Sequence, residues 1–237
     1  MGLGGSPSLP INISSRAQQR RVPRQAYTKP VGWWGDGSQK ILGGRDGLAG
    51  GTWLGCTRTG RLAFRINVLE TDNIPTAKSR GDLPVKFLEC GKSPLDFAEE
   101  VANEADKYNG FNLILADLCS KTMVYVSNRP NGEPVSIVLV TARLHMLTNA
   151  GLDTPWHKAL RLGKGFKEVL YKYDEQEIPA TEMVDKLMRD RVKADRDCLP
   201  NTGCDPSWEL DLSPVFVELK STHSWGDMAQ GALLFWL

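Results

Sequence analysis

The sequence predicts an α+β fold in which antiparallel sheets are flanked by helices. Three short apolar segments, 111–118, 123–127 and 135–140, follow one another with only turns between them, as in a meander. Amphipathic helical segments lie before and after this meander instead of alternating with its strands. This order argues against repeated βαβ units and favours antiparallel pairing.

The composition limits the number of domains and the class of protein. The 237 residues are 41% apolar and 24% charged, which is enough for one large domain or two small ones with a sizeable core. The net charge of +1 gives no field to attract nucleic acid. Five scattered cysteines indicate a reducing compartment, and Cys198 and Cys204 lack the second ligand pair of a metal site. No apolar run reaches membrane-spanning length, so we expect no bilayer crossing.

Three regions differ in composition: residues 1–27, the α+β domain 28–220, and the divergent tail 221–237. The first is rich in arginine and serine, has no acidic residue and shows no periodicity. It can be a disordered tail or an organelle-targeting segment. A third interpretation is myristoylation at Gly2, because the first six residues fit that pattern.

A glycine-rich hairpin comes early in the domain. Gly50 and Gly51 can turn tightly, and the segment 52–54 then favours a strand whose Trp53 we expect in the core. The sequence 57–60 predicts a turn, and 62–68 the returning strand. Before this hairpin, adjacent Trp33 and Trp34 should point to opposite faces of an extended segment.

The first helices precede the meander. Residues 79–90 predict a short helix, and Ser93, Pro94 and Asp96 form a capping box for a second one. One face of the second helix carries the apolar residues at three- or four-residue spacing. These are Leu95, Ala98, Val101, Ala102, Ala105 and Tyr108.

After the meander, residues 144–148 predict a fourth strand, and Thr154 with Pro155 opens a helix that runs to Tyr173. This helix is the most basic element, and it suits either a solvated surface or contact with anionic lipid or phosphate. Its cations are Lys158, Arg161, Lys164, Lys167 and Lys172. Thr181 should cap a further helix whose buried stripe consists of Met183, Val184, Leu187 and Met188. We expect a loop at residues 193–214 and a final strand at residues 215–219.

Several sequence blocks resemble, in order, those of the transport and Golgi organization protein 2 family, also called the NRDE-domain family. The resemblance extends from about residue 28 to about residue 219. Its signature residues are Gly50, Gly51, Thr52, Trp53, Leu54, Gly55, Arg80, Gly81, Asn109, Gly110, Asn112, Asn149, Pro155 and Trp156. The resemblance implies a four-layer αββα sandwich like that of the N-terminal-nucleophile hydrolases.

That chemistry needs a Cys directly after the initiator Met, an Arg-Asp pair and Asn donors for an oxyanion. Gly2 stands at the nucleophile position, and the Arg-Asp pair is absent. Asn67 and Asn149 are the remaining candidates for a vestigial site. The sandwich is therefore expected to be incomplete at its start, and catalysis is not expected.

The resemblance also implies a cytoplasm-facing protein, associated with the Golgi or the mitochondrion, that acts in secretory-pathway organisation. Haem or an acyl lipid is the implied ligand, a membrane surface is a further implied partner, and His145 and His157 are the candidate haem ligands. The alternative is an amidohydrolase of the N-terminal-nucleophile class.

At the other end, the family's Gly-Thr-Arg-Ser block is missing after residue 219. We therefore expect an open sheet edge beside 215–219 and an association-prone chain. The apolar residues 233–237 should favour pairing between chains.

Overall fold

The computed structural model describes residues 28–68, 70, 73–174, 176–217 and 232–236. Its main element is a seven-stranded antiparallel sheet with strand order β1 to β7, each strand pairing with its neighbours in the chain. The strands are β1 Thr28–Trp34, β2 Ile41–Asp46, β3 Leu54–Thr57, β4 Arg61–Asn67, β5 Phe111–Asp117, β6 Thr122–Ser127 and β7 Ser136–Leu139. This confirms the predicted α+β class and the antiparallel meander. The N-terminal tail and the lipidation of Gly2 lie outside the described residues.

The hairpin between β3 and β4 forms where the turn signal placed it. Gly60 has φ +82° and its N–H donates to Thr57 O at 3.3 Å. Trp33 and Trp34 point to opposite sides of β1 as expected: Trp33 is 43% exposed, whereas the Trp34 indole donates to Gly43 O.

Helices α1, Asp82–Glu89, and α2, Pro94–Ala102, cover one face of the sheet. The Ser93 Oγ accepts from Asp96 N at 3.2 Å, so the predicted capping box is present. The buried stripe differs in one respect, because Leu95 is exposed and Phe97 packs into the core instead. The helix also ends at Ala102, and a 3₁₀ turn at Ala105–Lys107 continues the stripe toward buried Tyr108.

The opposite face of the sheet packs against strand β8, Leu144–Thr148, through a second core that includes Phe64, Ile114 and Leu147. Strand β8 pairs antiparallel with β9, Ala232–Trp236. Helix α3, His157–Tyr173, lies on this two-stranded sheet. The layers are therefore helix, sheet, sheet and helix, while the kinship with the hydrolases stays a prediction.

The strand β9 changes the expectation for the C-terminal tail. Residues 233–236, which we expected to pair between chains, have a partner strand within the same chain. The expected strand at 215–219 is wrong in its described part, because residues 215 and 216 form bends and residue 217 has no regular structure. The strand that pairs with β8 in the second sheet is formed by residues 232–236 instead.

The segment between α3 and the tail is more helical than predicted. Helix α4, Ala180–Met183, follows Pro179, so Thr181 lies inside the helix and does not cap it. A π-helical turn, Val184–Met188, continues α4, and within it only Leu187 is buried. Helix α5, Pro206–Asp211, occupies part of the predicted loop 193–214.

Candidate functional site

The glycine-rich signature packs against the loop that precedes α1. A Cβ on Gly51 would lie 2.5 Å from the carbonyl carbon of Gly81, and Thr52 N donates to Gly81 O at 3.1 Å. Gly50 has φ +75°, a conformation that side chains rarely adopt. The glycines of the two signature blocks are therefore required for close contact between backbones.

Trp53 contradicts the prediction that it is a core residue, because its side chain is 42% exposed. The residue precedes β3, and its ring lies along Gly44, where a Cβ would be 3.0 Å from the Trp53 Cζ2. Its backbone carbonyl accepts from Arg65 N at 2.8 Å. The Trp53 ring thus covers Gly44 of β2 and does not enter the hydrophobic core.

Two arginines meet beside this signature, and sequence reasoning missed one of them. Burial, together with the charge of Arg80, lowers the pKa of Arg65 to about 10, while Asp46 and Asp82 oppose the shift. The Arg65 guanidinium donates to the Asn67 side-chain oxygen. Arg80 donates to Gly110 O at 2.9 Å, so this signature residue ties the α1 loop to the start of β5.

The signature residues Asn109 and Asn112 are engaged in bonds within the fold. Asn109 accepts from Ile74 N and donates to Ile74 O, which fixes the preceding loop. Buried Asn112 donates to Thr148 O and accepts from the Tyr125 hydroxyl, which connects the two sheets. Both amides therefore have a structural role.

Asn67 and Asn149, the two candidates for a vestigial catalytic site, do come together. The Asn149 amide nitrogen donates to the backbone carbonyl of Asn67 at 2.8 Å. Asn149 also lines a cleft of about 390 Å³, which the signature residues Pro155 and Trp156 share. The remaining lining residues are Val68, Ala150, Thr154, Cys198, Pro200, Asn201 and Thr202.

The start of α3 differs from the prediction and positions charge next to this cleft. The helix begins at His157 after Trp156, so Thr154 and Pro155 belong to the cleft wall and not to the helix. Lys158, which we predicted on a basic surface, is only 4% exposed. Burial lowers its pKa to about 8, although the opposite charge of Glu209 acts in the other direction.

Sequence reasoning also missed Glu209, because it assigned 193–214 to a loop. Glu209 is 2% exposed and accepts a hydrogen bond from the Thr202 hydroxyl. The Asp205 side chain caps α5 by accepting from Ser207 N, and Pro206 takes the first helical position. This Asp-Pro pattern is the same kind of helix start as Ser93-Pro94, and it could have revealed the helix.

The other cations of α3 remain at the surface. Arg161 pairs with Asp190 and Lys172 with Glu182, whereas Lys164 and Lys167 are exposed without an ion pair among the described residues. Contact of this helix with anionic lipid stays a prediction.

The candidate haem ligands have different surroundings. His145 is buried, with Nδ1 2.9 Å from Asp153 Oδ2 and Nε2 2.9 Å from Thr141 O, so both ring nitrogens are engaged. The His157 Nε2 is buried and has no hydrogen-bond partner among the described residues. Of the two, only His157 could ligate a group without first losing a hydrogen bond.

The described residues contain neither a metal-binding cluster nor a membrane-spanning helix. No cluster of three or more His, Cys, Asp or Glu side chains could hold a metal ion there. Within the same residues, no helix combines the length and apolar character that a bilayer span needs.

The fold and the cleft define an α+β protein with two stacked sheets and a cleft at the start of its last long helix. The family model for transport and Golgi organisation 2 matches residues 18–235. Three relatives named as transport and Golgi organization 2 homologs agree with it. The Mus musculus protein is 36% identical over 201 residues, 80% of this chain and 69% of its own length.

The Bos taurus relative is 37% identical over 190 residues, 77% of this chain and 66% of its own length. The Homo sapiens relative is 40% identical over 141 residues, 56% of this chain and 50% of its own length. This chain thus spans about two thirds of the first two relatives and half of the third. The chain belongs to the transport and Golgi organisation 2 family, which confirms the resemblance inferred from the signature blocks.

Proposed function

We propose that this chain acts in transport and Golgi organisation as a non-catalytic protein that handles haem or an acyl lipid. Family membership supports the first part, because the relatives carry that role in their names. The hydrogen bonds of Asn67 and Asn149 support the non-catalytic part, because both residues are engaged within the fold.

The observation that carries the non-catalytic proposal is the hydrogen bond from Asn149 Nδ2 to Asn67 O. An oxyanion hole requires donors aimed at the position where negative charge develops. The Asn149 donor is instead directed at a backbone carbonyl of the protein, and the Asn67 side chain is held by Arg65. This arrangement suits a wall that holds a ligand better than a site that stabilises a tetrahedral intermediate.

The cleft favours an acyl lipid over haem. Its volume of about 390 Å³ lies at the lower end of the range for small-molecule sites. Val68, Pro155 and Trp156 give it an apolar wall for a hydrocarbon chain. Haem is less well served, since His157 Nε2 is buried and His157 does not line the cleft, and His145 is engaged at both ring nitrogens.

The hydrolase alternative can be tested directly with the purified chain and an N-octanoyl amide substrate. We expect no release of octanoate above the rate without protein, because the Asn donors are engaged within the fold. Asn67→Ala and Asn149→Ala serve as variants, and Asn201→Ala, on the exposed cleft wall, is the matched control. Turnover that both variants abolish and the control retains would contradict the proposal.

The role in Golgi organisation needs a separate test in cells that lack their own family member. Expression of the full chain should restore secretion of a reporter cargo and the compact shape of the Golgi. A well-expressed chain that restores neither would overturn this part of the proposal, whatever the outcome of the substrate assay.

A further inference from the structure

One face of the seven-stranded sheet is covered only in part. Cross-strand pairing places Trp33, Leu42, Cys56 and Leu62 in one row across β1 to β4. Leu62 packs against the second core, so this row belongs to the face that packs against β8. Among the described residues, that core includes none from β1 to β3. The core therefore stops at β4, and Trp33 is 43% exposed on the part of the face that lies beyond it.

Positive charge collects at the end of the sheet where β2 begins and β3 ends. Lys40 and Arg58 adjoin the paired residues Ile41 and Thr57, which places both cations at the same end of the sheet. Both side chains are exposed. The Arg58 guanidinium lies 4.4 Å from the centre of the Trp33 ring, so a cation and an exposed aromatic ring share this position.

The turn between β5 and β6 adjoins the same end of the sheet. Leu118 N donates to Gly60 O at 2.9 Å, so this turn lies beside the hairpin turn that carries Arg58. Leu118 is 57% exposed, and Lys121 in the same turn is exposed as well. We call the surface at this end of the sheet the turn-end patch, and its residues are Trp33, Lys40, Arg58, Leu118 and Lys121.

The turn-end patch carries more positive than negative charge. Its three cations form no ion pair with the residues that the structure describes. Two acidic residues, Asp36 and Asp117, are close to it in the chain. The Asp117 carboxylate is engaged, because it accepts from Cys119 N and Ser120 N and lies 3.9 Å from Arg61 Nη1. The patch thus combines a net positive charge with two exposed apolar side chains.

The distribution of charge along the chain agrees with a basic surface in this region. Residues 28–67, which include β1 to β4, contain six Lys or Arg and two acidic residues, whereas residues 68–237 contain 19 and 26. The net charge of +1 therefore conceals a basic first part of the sheet. Charge asymmetry of this kind is typical of chains that meet a nucleic acid or a membrane.

Two other kinds of partner fit the turn-end patch less well than a membrane does. A second copy of this chain, packed about a twofold axis, would bring the same three cations against each other. A single-stranded nucleic acid needs a track of phosphate contacts and several stacking rings, whereas the patch offers one exposed ring beside a leucine. The interface of an anionic bilayer accepts tryptophan and leucine side chains together with nearby Lys and Arg.

We propose that the turn-end patch docks the protein on an anionic membrane surface. Trp33 and Leu118 enter the headgroup region, and the three cations lie at the level of the lipid phosphates. The inference does not depend on the proposed acyl-lipid site, since no residue of the patch lines that cleft.

Helix α3 is the other basic element that could meet such a surface, but its charge is balanced locally. Lys164 and Lys167 are exposed without an ion pair in the described part of the chain. The grooves that they line also contain Glu168 and Asp174. These two lysines therefore provide a matched control for the patch, with the same charge at a different place.

Co-sedimentation of the full chain with lipid vesicles tests the proposal. The probes are vesicles of phosphatidylcholine alone and of phosphatidylcholine mixed with phosphatidylserine. We expect binding to the mixed vesicles only, and loss of that binding at high salt. Lys40→Gln/Lys121→Gln should weaken it about 25-fold, since each cation near an anionic surface contributes about fivefold. Lys164→Gln/Lys167→Gln should bind normally.

The apolar part of the patch is tested in the same assay. Trp33→Ala should weaken binding to the mixed vesicles about tenfold, because the indole loses its burial among the headgroups. Tyr171→Ala is the matched control and should bind normally, since Tyr171 is an aromatic residue of α3 that is 87% exposed.

No binding to the mixed vesicles, equal binding to both kinds, or binding that high salt leaves unchanged would overturn the inference. Equal losses from the two double variants would do the same and would place the contact on α3. Tighter binding to oligothymidylate at the same salt would identify a nucleic acid as the partner instead. Circular dichroism shows whether each variant folds, and the salt dependence of the unmodified chain decides the matter where one does not.

Discussion

Arg61 and Lys158 are both buried cations, but their surroundings differ. Arg61, at the start of β4, is 8% exposed and donates to Phe87 O from Nε and Nη2 at 3.3 and 2.9 Å. Its Nη2 also donates to Lys92 O at 2.8 Å, and the guanidinium lies 4.0 Å from the centre of the Phe87 ring. The Asp117 carboxylate adds a distant partner at 3.9 Å.

Lys158 has none of these direct contacts among the described residues, and only the charge of Glu209 compensates it. The comparison shows that burial of a charge does not by itself define its role. Arg61 satisfies the carbonyls at the end of α1 and fixes that helix to the sheet. Lys158 has no hydrogen bond to the residues that the structure describes, and it lines a small cavity beside the cleft.

The largest expected effect is the loss of stability when Arg61 is replaced. Arg61→Met should lower the free energy of unfolding by about 3 kcal/mol, because it leaves the carbonyls of Phe87 and Lys92 without their donor in a buried site. Urea denaturation measures this loss. Arg58→Met, an exposed arginine over the Trp33 ring, should cost less than about 1 kcal/mol. Equal losses would show that the Arg61 bonds do not hold the helix to the sheet.

The second expected effect is a pH dependence that comes from Lys158. Its pKa of about 8 in the folded chain lies below the usual 10.5, so the unfolded chain binds more protons between these values. Stability should therefore rise with pH in this window, by about 2 kcal/mol from pH 7 to pH 9.5. The reference is Lys158→Met/Glu209→Gln, which carries neither charge.

Denaturation of both proteins across that pH range isolates the contribution of Lys158 together with Glu209, since the remaining titrating groups are shared. The stability of the unmodified chain relative to the double variant should increase toward alkaline pH. A difference that stays constant would contradict the low pKa and would place the ammonium group in contact with solvent.

The sequence predicted the hairpin of β3 and β4 and the meander of β5 to β7 because their signals are local, but it assigned no strands at β1 and β2. The turn at Gly60 and the apolar runs of β5 and β6 depend on near neighbours in the chain. The cap at Ser93 is equally local. Such features follow from residue type and spacing alone.

The candidate site was harder to predict because it joins distant segments. Lys158 looked like one of several surface cations, but it is buried beside Ala194 and Glu209, which lie far from it in the chain and line the same small cavity. Asn149 and Asn67 are 82 residues apart and meet through a backbone carbonyl, which no side-chain pattern encodes. The family resemblance named these two Asn residues but could not reveal where their amides point.

Trp53 gives the smallest expected effect and a direct check on the signature. Because its side chain is 42% exposed, Trp53→Ala should cost about 1–2 kcal/mol, well below the cost of deleting a core tryptophan. The contact that it loses is with Gly44, and the hydrogen bond from Arg65 N to the Trp53 carbonyl remains. Trp33→Ala is the matched control, since Trp33 is 43% exposed and lies outside the signature. Similar shifts of the denaturant midpoint for both variants would identify Trp53 as a covering residue, whereas a loss above about 3 kcal/mol would restore it to the core.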